Sequence, residues 1–105
     1  MKHVIRVVHK NAPVAPGYER FYCGRPTPLG NPFVIGKDGT RDEVITKYGE
    51  WLEKQCLNPS SPQALALEHI ESTMRWQNTH IELACWCAPQ RCHCDLLKAY
   101  LGGGK

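Results

Sequence analysis

The 105-residue sequence predicts an α/β fold. The expected form is one small domain, residues 1–105, with a short parallel or mixed sheet flanked by about three helices in a Rossmann-like two-layer or three-layer arrangement. Three observations predict it. Strand-like runs near residues 3–9 and 80–87 bracket stretches of helical periodicity. The apolar content, 42% with three Trp, four Tyr and two Phe, suffices to bury one core. A chain of this length has no room for a second core.

The elements follow in order. His3 to His9 is rich in β-branched residues, and Val4, Ile5, Val7 and Val8 point to both faces, as in a strand buried on two sides. Asn11 to Phe33 reads as one long irregular loop. It holds five of the eight prolines, Pro13, Pro16, Pro26, Pro28 and Pro32, while Tyr18, Phe21, Tyr22 and Phe33 argue that it is ordered. Val34-Ile35 suits a short strand before the turn Gly36 to Gly39. Thr40-Arg41-Asp42-Glu43 then matches a capping box, and Val44, Ile45, Tyr48, Trp51 and Leu52 recur at helical spacing until about Cys56 to Asn58. Ser61-Pro62 opens a second helix to about Met74, with Leu67, Ile70 and Met74 on one face. His80 to Cys87 alternates as a central strand, a tight loop from Ala88 to Arg91 follows, and Leu96, Leu97, Tyr100 and Leu101 make a third helix from Cys92 onward. The glycine-rich tail, residues 102–105, stops it.

Charge and cysteine content narrow the functional classes. The formal net charge is +3; residues 1–41 hold seven Lys/Arg and two acids, and residues 42–105 hold six and eight, so the balance is +5 against −2. A basic N-terminal third fits an anionic partner such as a phosphate, nucleotide or nucleic acid, and equally a solvated basic face. No stretch approaches the roughly 20 apolar residues of a membrane span, and Met1 to Lys10 lacks the core of a signal peptide. The expected location is cytoplasmic, with no membrane partner. There the six cysteines, four of them within residues 85–94, point to metal or thiol chemistry before disulfides.

Two segments can carry chemistry. The first is Cys85-Trp86-Cys87-Ala88-Pro89-Gln90-Arg91-Cys92-His93-Cys94-Asp95. Cys85, Cys87, Cys92, His93 and Cys94 offer five ligands for a tetrahedral zinc ion, although the C-x-C-x4-C-x-C spacing is not the paired C-x2-C of zinc ribbons. A competing reading uses the helix start, where free amides attract an anion and lower a thiol pKa, making Cys92 a nucleophile. Asp95 would then cap the helix, hold a ribose hydroxyl or act as a base. The structural alternative makes Cys85 and Cys87 small core residues and Asp95 a cap.

The second segment is Tyr22-Cys23-Gly24-Arg25-Pro26-Thr27-Pro28-Leu29-Gly30-Asn31-Pro32-Phe33. Gly24 and Gly30 allow close approach of the backbone to a ligand, Arg25 presents a planar fork for phosphate or carboxylate, and Asn31 can read a base edge. Tyr22, Phe33 and His93 complete the candidate ligand-binding set. The alternative is a rigid loop covering a sheet edge, with Asn31 capping a turn.

Together these segments resemble the DUF4326 family, small proteins of phages and bacteria. Its Y-x-G-R-x-x-P-L-G-N-P-F-like stretch, helix start near R-D-E-V and C-W-C-x-P-x-x-C-H-x-D motif read here as Tyr22 to Phe33, Arg41 to Val44 and Cys85 to Asp95. The resemblance implies a bacterial or phage setting and a site drawn from Arg25, Asn31, Cys85, Cys87, Cys92, His93 and Asp95. It brings no defined biochemistry. Cys94 and Cys23 depart from the pattern, standing where a small and an aliphatic residue are usual.

Two functions follow as expectations. One is a protein binding a small phosphate-bearing, nucleotide-like ligand, as an enzyme if Cys92 or Asp95 serves as nucleophile or base. The other is a zinc-stabilised interaction module that docks on a host protein or nucleic acid without catalysis.

Overall fold

In the computed structural model, which describes residues 3–87, 90 and 92–102, the elements run β1 (Ile5–His9), β2 (Tyr18–Tyr22), α1 (Arg41–Cys56), α2 (Pro62–Trp76), β3 (His80–Cys85) and α3 (His93–Leu101). Most of the expected tight loop, Ala88 to Arg91, and the end of the glycine tail lie outside the described residues.

Local chemistry explains the helix starts. Thr40 accepts the Glu43 amide while the Glu43 carboxylate accepts the Thr40 amide, so the capping box forms as its residue types require. Ser61 accepts the Ala64 amide, and Pro62 sits where its missing N–H costs nothing. At α3 the Asp95 carboxylate accepts the Cys92 amide at 3.0 Å. Two expectations need correction. Residues 11–33 do not form one loop, because Tyr18–Tyr22 is a strand whose flanking prolines bound it without interrupting it. Val34-Ile35 is no strand; Ile35 makes only an isolated bridge to Gly39, since the turn folds back before a ladder can start.

The three strands form a parallel sheet in the order β1-β3-β2. β3 is central and buried along nearly its whole length, with Val7 and Phe21 in register with Leu83 on either side. Side chains alternate across the sheet. Ile5, Ile81, Leu83 and Cys85 face the core that Tyr48, Leu52, Leu67, Ile70 and Leu97 of the three helices complete.

Among the described residues the opposite face carries no helix. Residues 10–17 return from the end of β1 to the start of β2 and strap it instead, too short a connection for a helix, so the arrangement has two layers and not three. Beneath the strap lies a row of charges in register, Arg6, Glu82 and Arg20. The fully buried Glu82 carboxylate accepts from Arg6, from Arg20 Nε at 3.0 Å and Nη2 at 2.8 Å, and from the Ala15 amide at 3.3 Å. Burial alone would push its pKa up, but these donors hold it below the ordinary carboxylate value. Arg20 also donates to the Ala12 carbonyl, so one guanidinium fastens strap to strand. Among the described residues no helix is long and apolar enough to cross a membrane.

Candidate functional site

Parallel strands deliver both marked segments to one end of the sheet. Gly24 and Arg25 follow β2, Cys85 ends β3, and the first turns of α1 and α3 face them across a cleft of about 220 Å³. This is the position where ligands sit in parallel α/β sheets. Arg25, Arg41, Phe33, Trp86, Cys92 and His93 are among the residues that line it, and among the described residues no carboxylate does.

The loop after β2 is held from several sides. Thr27 donates through its amide (2.9 Å) and its hydroxyl (2.6 Å) to the Gly24 carbonyl. The buried Tyr48 hydroxyl donates to the Leu29 carbonyl at 2.7 Å. Tyr22 donates to the Arg25 carbonyl at 3.2 Å and accepts from Trp86 Nε1 at 2.8 Å. The two glycines serve this packing. A Cβ on Gly24 would run into the Tyr22 hydroxyl, and one on Gly30 would lie 2.8 Å from the Arg25 nitrogen. Asn31 is occupied at both ends, accepting the Phe33 amide at 2.9 Å and donating to the Val44 carbonyl at 3.3 Å, so it ties the loop to α1. Although Asn31 lines the cleft, its amide is committed to backbone rather than free for a base edge.

Arg25 differs from these neighbours. It is exposed, lines the cleft, and its guanidinium has no ion pair or hydrogen bond among the described residues. Arg41, the first residue of α1, joins it on the cleft wall. Trp86, 62% exposed, offers an aromatic surface there, with the Lys10 ammonium 4.1 Å from its ring centroid.

His93 is buried against Tyr48, with ring centroids 4.9 Å apart, and its Nε2 donates to the Cys23 carbonyl at 2.6 Å. Burial, and to a smaller extent the Arg25 charge, holds its pKa below the ordinary imidazole value, which keeps the ring neutral. Cys85, Cys92 and Cys94 are buried with their sulfur atoms all within 4.8 Å of one another. Three buried cysteines so placed are able to hold a metal ion. Of the other two expected ligands, Cys87 lines the cleft outside this group, and His93 has its Nε2 committed to a carbonyl.

At the helix start the Cys92 thiol pKa is raised overall, not lowered. The adjacent Cys85 thiol, 3.1 Å away, and burial push it up to about 12, the reverse of the expectation for a nucleophile. Asp95 is exposed, caps α3 and lines a shallow depression beside Lys98 on another side of the helix, away from the cleft. Of the residues singled out from the sequence, Arg25, Asn31, Phe33, Cys85, Cys92 and His93 meet at the cleft and Asp95 lies elsewhere. The sequence reading missed Arg41, which a capping-box reading treats only as a helix start, and Cys23, whose buried carbonyl accepts from His93. No curated protein and no solved structure matches the chain. The family model described as "Domain of unknown function (DUF4326)" matches residues 5–103, nearly the whole chain, and the chain belongs to this family.

Proposed function

We propose that this protein binds a small phosphate-bearing, nucleotide-like ligand in the cleft at the carboxyl ends of β2 and β3. The observation that carries this reading is the exposed Arg25, without an ion pair or side-chain hydrogen bond among the described residues, on the wall of a cleft that Arg41 shares and that no carboxylate among the described residues lines. The planar fork of Arg25 suits the oxygens of a phosphate, the charge of Arg41 adds to the positive wall, and the amino end of α3 adds its positive dipole. Trp86 and Phe33 supply apolar surface for a base or similar ring. The volume lies below the roughly 300–1,000 Å³ of drug-sized sites, so the cleft takes a small ligand or one end of a larger one. The raised thiol pKa of Cys92 and the remote Asp95 favour binding over nucleophilic or acid–base chemistry.

Titration calorimetry with nucleoside mono-, di- and triphosphates tests the proposal. Arg25→Gln should weaken binding about 10-fold to 100-fold, the loss of a hydrogen bond to a charged group. Unchanged binding in Arg25→Gln, or no binding by any member of the panel, would overturn it. Nucleic acid as the ligand would instead give a log–log salt slope near −0.9 for each phosphate contacted.

A second reading has its own support in the grouping of Cys85, Cys92 and Cys94, which favours zinc and a metal-stabilised module that docks on a host protein or nucleic acid. Elemental analysis of tag-free protein purified under reducing conditions tests it; about one equivalent of zinc is expected. Both readings fit the cytoplasm of a bacterial or phage-infected cell, where nucleotides abound and thiols stay reduced.

A further inference from the structure

Alternation along β3 turns Ile81, Leu83 and Cys85 to the core and Glu82 and Ala84 to the strapped face, and Trp86, directly after the strand, continues that second row. Beside it Lys10 extends β1 by one residue, its amide donating to the Cys85 carbonyl at 2.8 Å. Next to the small Ala84 side chain lies a depression of about 360 Å³, lined by Lys10, Arg20, Tyr22, Ala84 and Trp86, with no carboxylate among the described residues. Trp86 lines this depression and the cleft alike.

The two cations of the depression are not equivalent. Arg20 is committed to Glu82 and to the Ala12 carbonyl. The Lys10 ammonium has the neutral Asn11 side-chain oxygen at 3.4 Å and the Trp86 ring as partners, and no acidic one among the described residues. Trp86 is exposed and yet held in place. Its Nε1–H donates to the Tyr22 hydroxyl, which itself donates to the Arg25 carbonyl, and the His9 ring meets it edge-on with centroids 6.2 Å apart. An indole fixed by neighbours while most of its surface stays in water is a preorganised surface for a second ring. Charge complements it, since Arg25 and Arg41 line the cleft and Lys10 lines the depression. A phosphate on each side of one stacked base is the repeat of a nucleic-acid strand, and a duplex hides its base faces in its own stack, so the matching chemistry is that of a single strand.

We propose that the ligand is a short single-stranded oligonucleotide, with one phosphate on Arg25 in the cleft, a base stacked on Trp86 and the next phosphate on Lys10. This rests on the phosphate reading of the cleft above and extends it by a second phosphate subsite. The cleft then holds one end of the strand, in keeping with its small volume, and the depression receives what continues beyond Trp86.

Titration calorimetry on the whole chain tests this with 5′-phosphorylated homotrinucleotides of all four bases, in deoxyribo and ribo form, each against its own nucleoside 5′-monophosphate. The best trinucleotide should bind at least about tenfold tighter than its monophosphate. Lys10→Gln should remove that gain, make the log–log salt slope shallower by about 0.7, the value of one single-strand phosphate contact, and leave monophosphate affinity unchanged. Lys10→Arg should keep the gain. Trp86→Ala should weaken the trinucleotide at least about fivefold, and Trp86→Phe should restore most of the loss. A gain in either sugar series supports the proposal, and the tighter series names the nucleic acid. Trinucleotides no tighter than monophosphates, or a Lys10→Gln protein that keeps the gain, overturn the second subsite and leave the reading of the cleft standing. No binding by any of these phosphates overturns both. If Lys10→Gln does not fold, the wild-type comparison of trinucleotide with monophosphate decides alone.

Discussion

Glu82→Gln keeps the shape of the central side chain and removes the charge that two arginines share. Removing one partner of a buried ion pair costs about 3–5 kcal/mol, because the remaining charge is left in a poor solvent. Here the two partners differ. The Arg20 side chain is 16% exposed and Arg6 is 42% exposed, so Arg6 can turn to water while Arg20 stays under the strap. The expected loss is therefore about 3 kcal/mol, the low end of that range, a large part of the roughly 5–15 kcal/mol that holds a small domain folded. At about 4–8 °C per kcal/mol, the melting temperature should fall by roughly 12–24 °C. Urea unfolding followed by tryptophan fluorescence measures the loss, and Arg6→Gln, by the same reasoning, should cost under about 1 kcal/mol. The pH dependence has a fixed sign. The folded pKa of Glu82 lies below its unfolded value, so its contribution is complete above the ordinary carboxylate pKa and disappears as pH falls through the lower, folded value. Glu82→Gln should flatten that part of the acid profile. A Glu82→Gln protein within about 1 kcal/mol of wild type, or an Arg6→Gln protein equally destabilised, would refute the argument that Glu82 organises the strapped face.

Two further substitutions separate the loop from the helix cap. Gly30→Ala should destabilise the protein by about 1–3 kcal/mol and weaken ligand binding in the cleft, because the added carbon meets backbone atoms of Gly24 and Arg25 that cannot rotate aside; thermal melts and calorimetry read the two effects. Asp95→Ala should lose about 1 kcal/mol with the cap on the Cys92 amide. Its ligand affinity should match the wild type, and a selective loss of affinity or activity would restore Asp95 to the site.

Local rules made some of this molecule legible in its sequence and left other parts hidden. The Thr40 to Glu43 capping box, the Ser61-Pro62 start and the apolar spacing from Val44 to Leu52 all act within a few residues, so they can be read directly. β2 was hidden because its only ladder partner, β3, lies about 60 residues away, and its own composition, Tyr-Glu-Arg-Phe-Tyr between prolines, has no aliphatic run. The meeting of Arg25 with Cys92 and His93 was accessible because both segments follow strands, and parallel strands end on one side. Cys23 escaped for the opposite reason. It sits 62 residues before Cys85 in sequence, and the pairing of β2 with β3 places its carbonyl within reach of the His93 ring.

The sheet order also dictates when the chain can fold. β1 and β2 pair only with β3 and never with each other, so during synthesis the first two strands wait without hydrogen-bond partners until residues 80–85 appear. At roughly 5–20 residues per second this interval lasts several seconds on the ribosome. Throughout it, Arg6 and Arg20 have no counter-charge from Glu82, and their positive charges help keep the two unpaired strands apart until the central strand arrives between them.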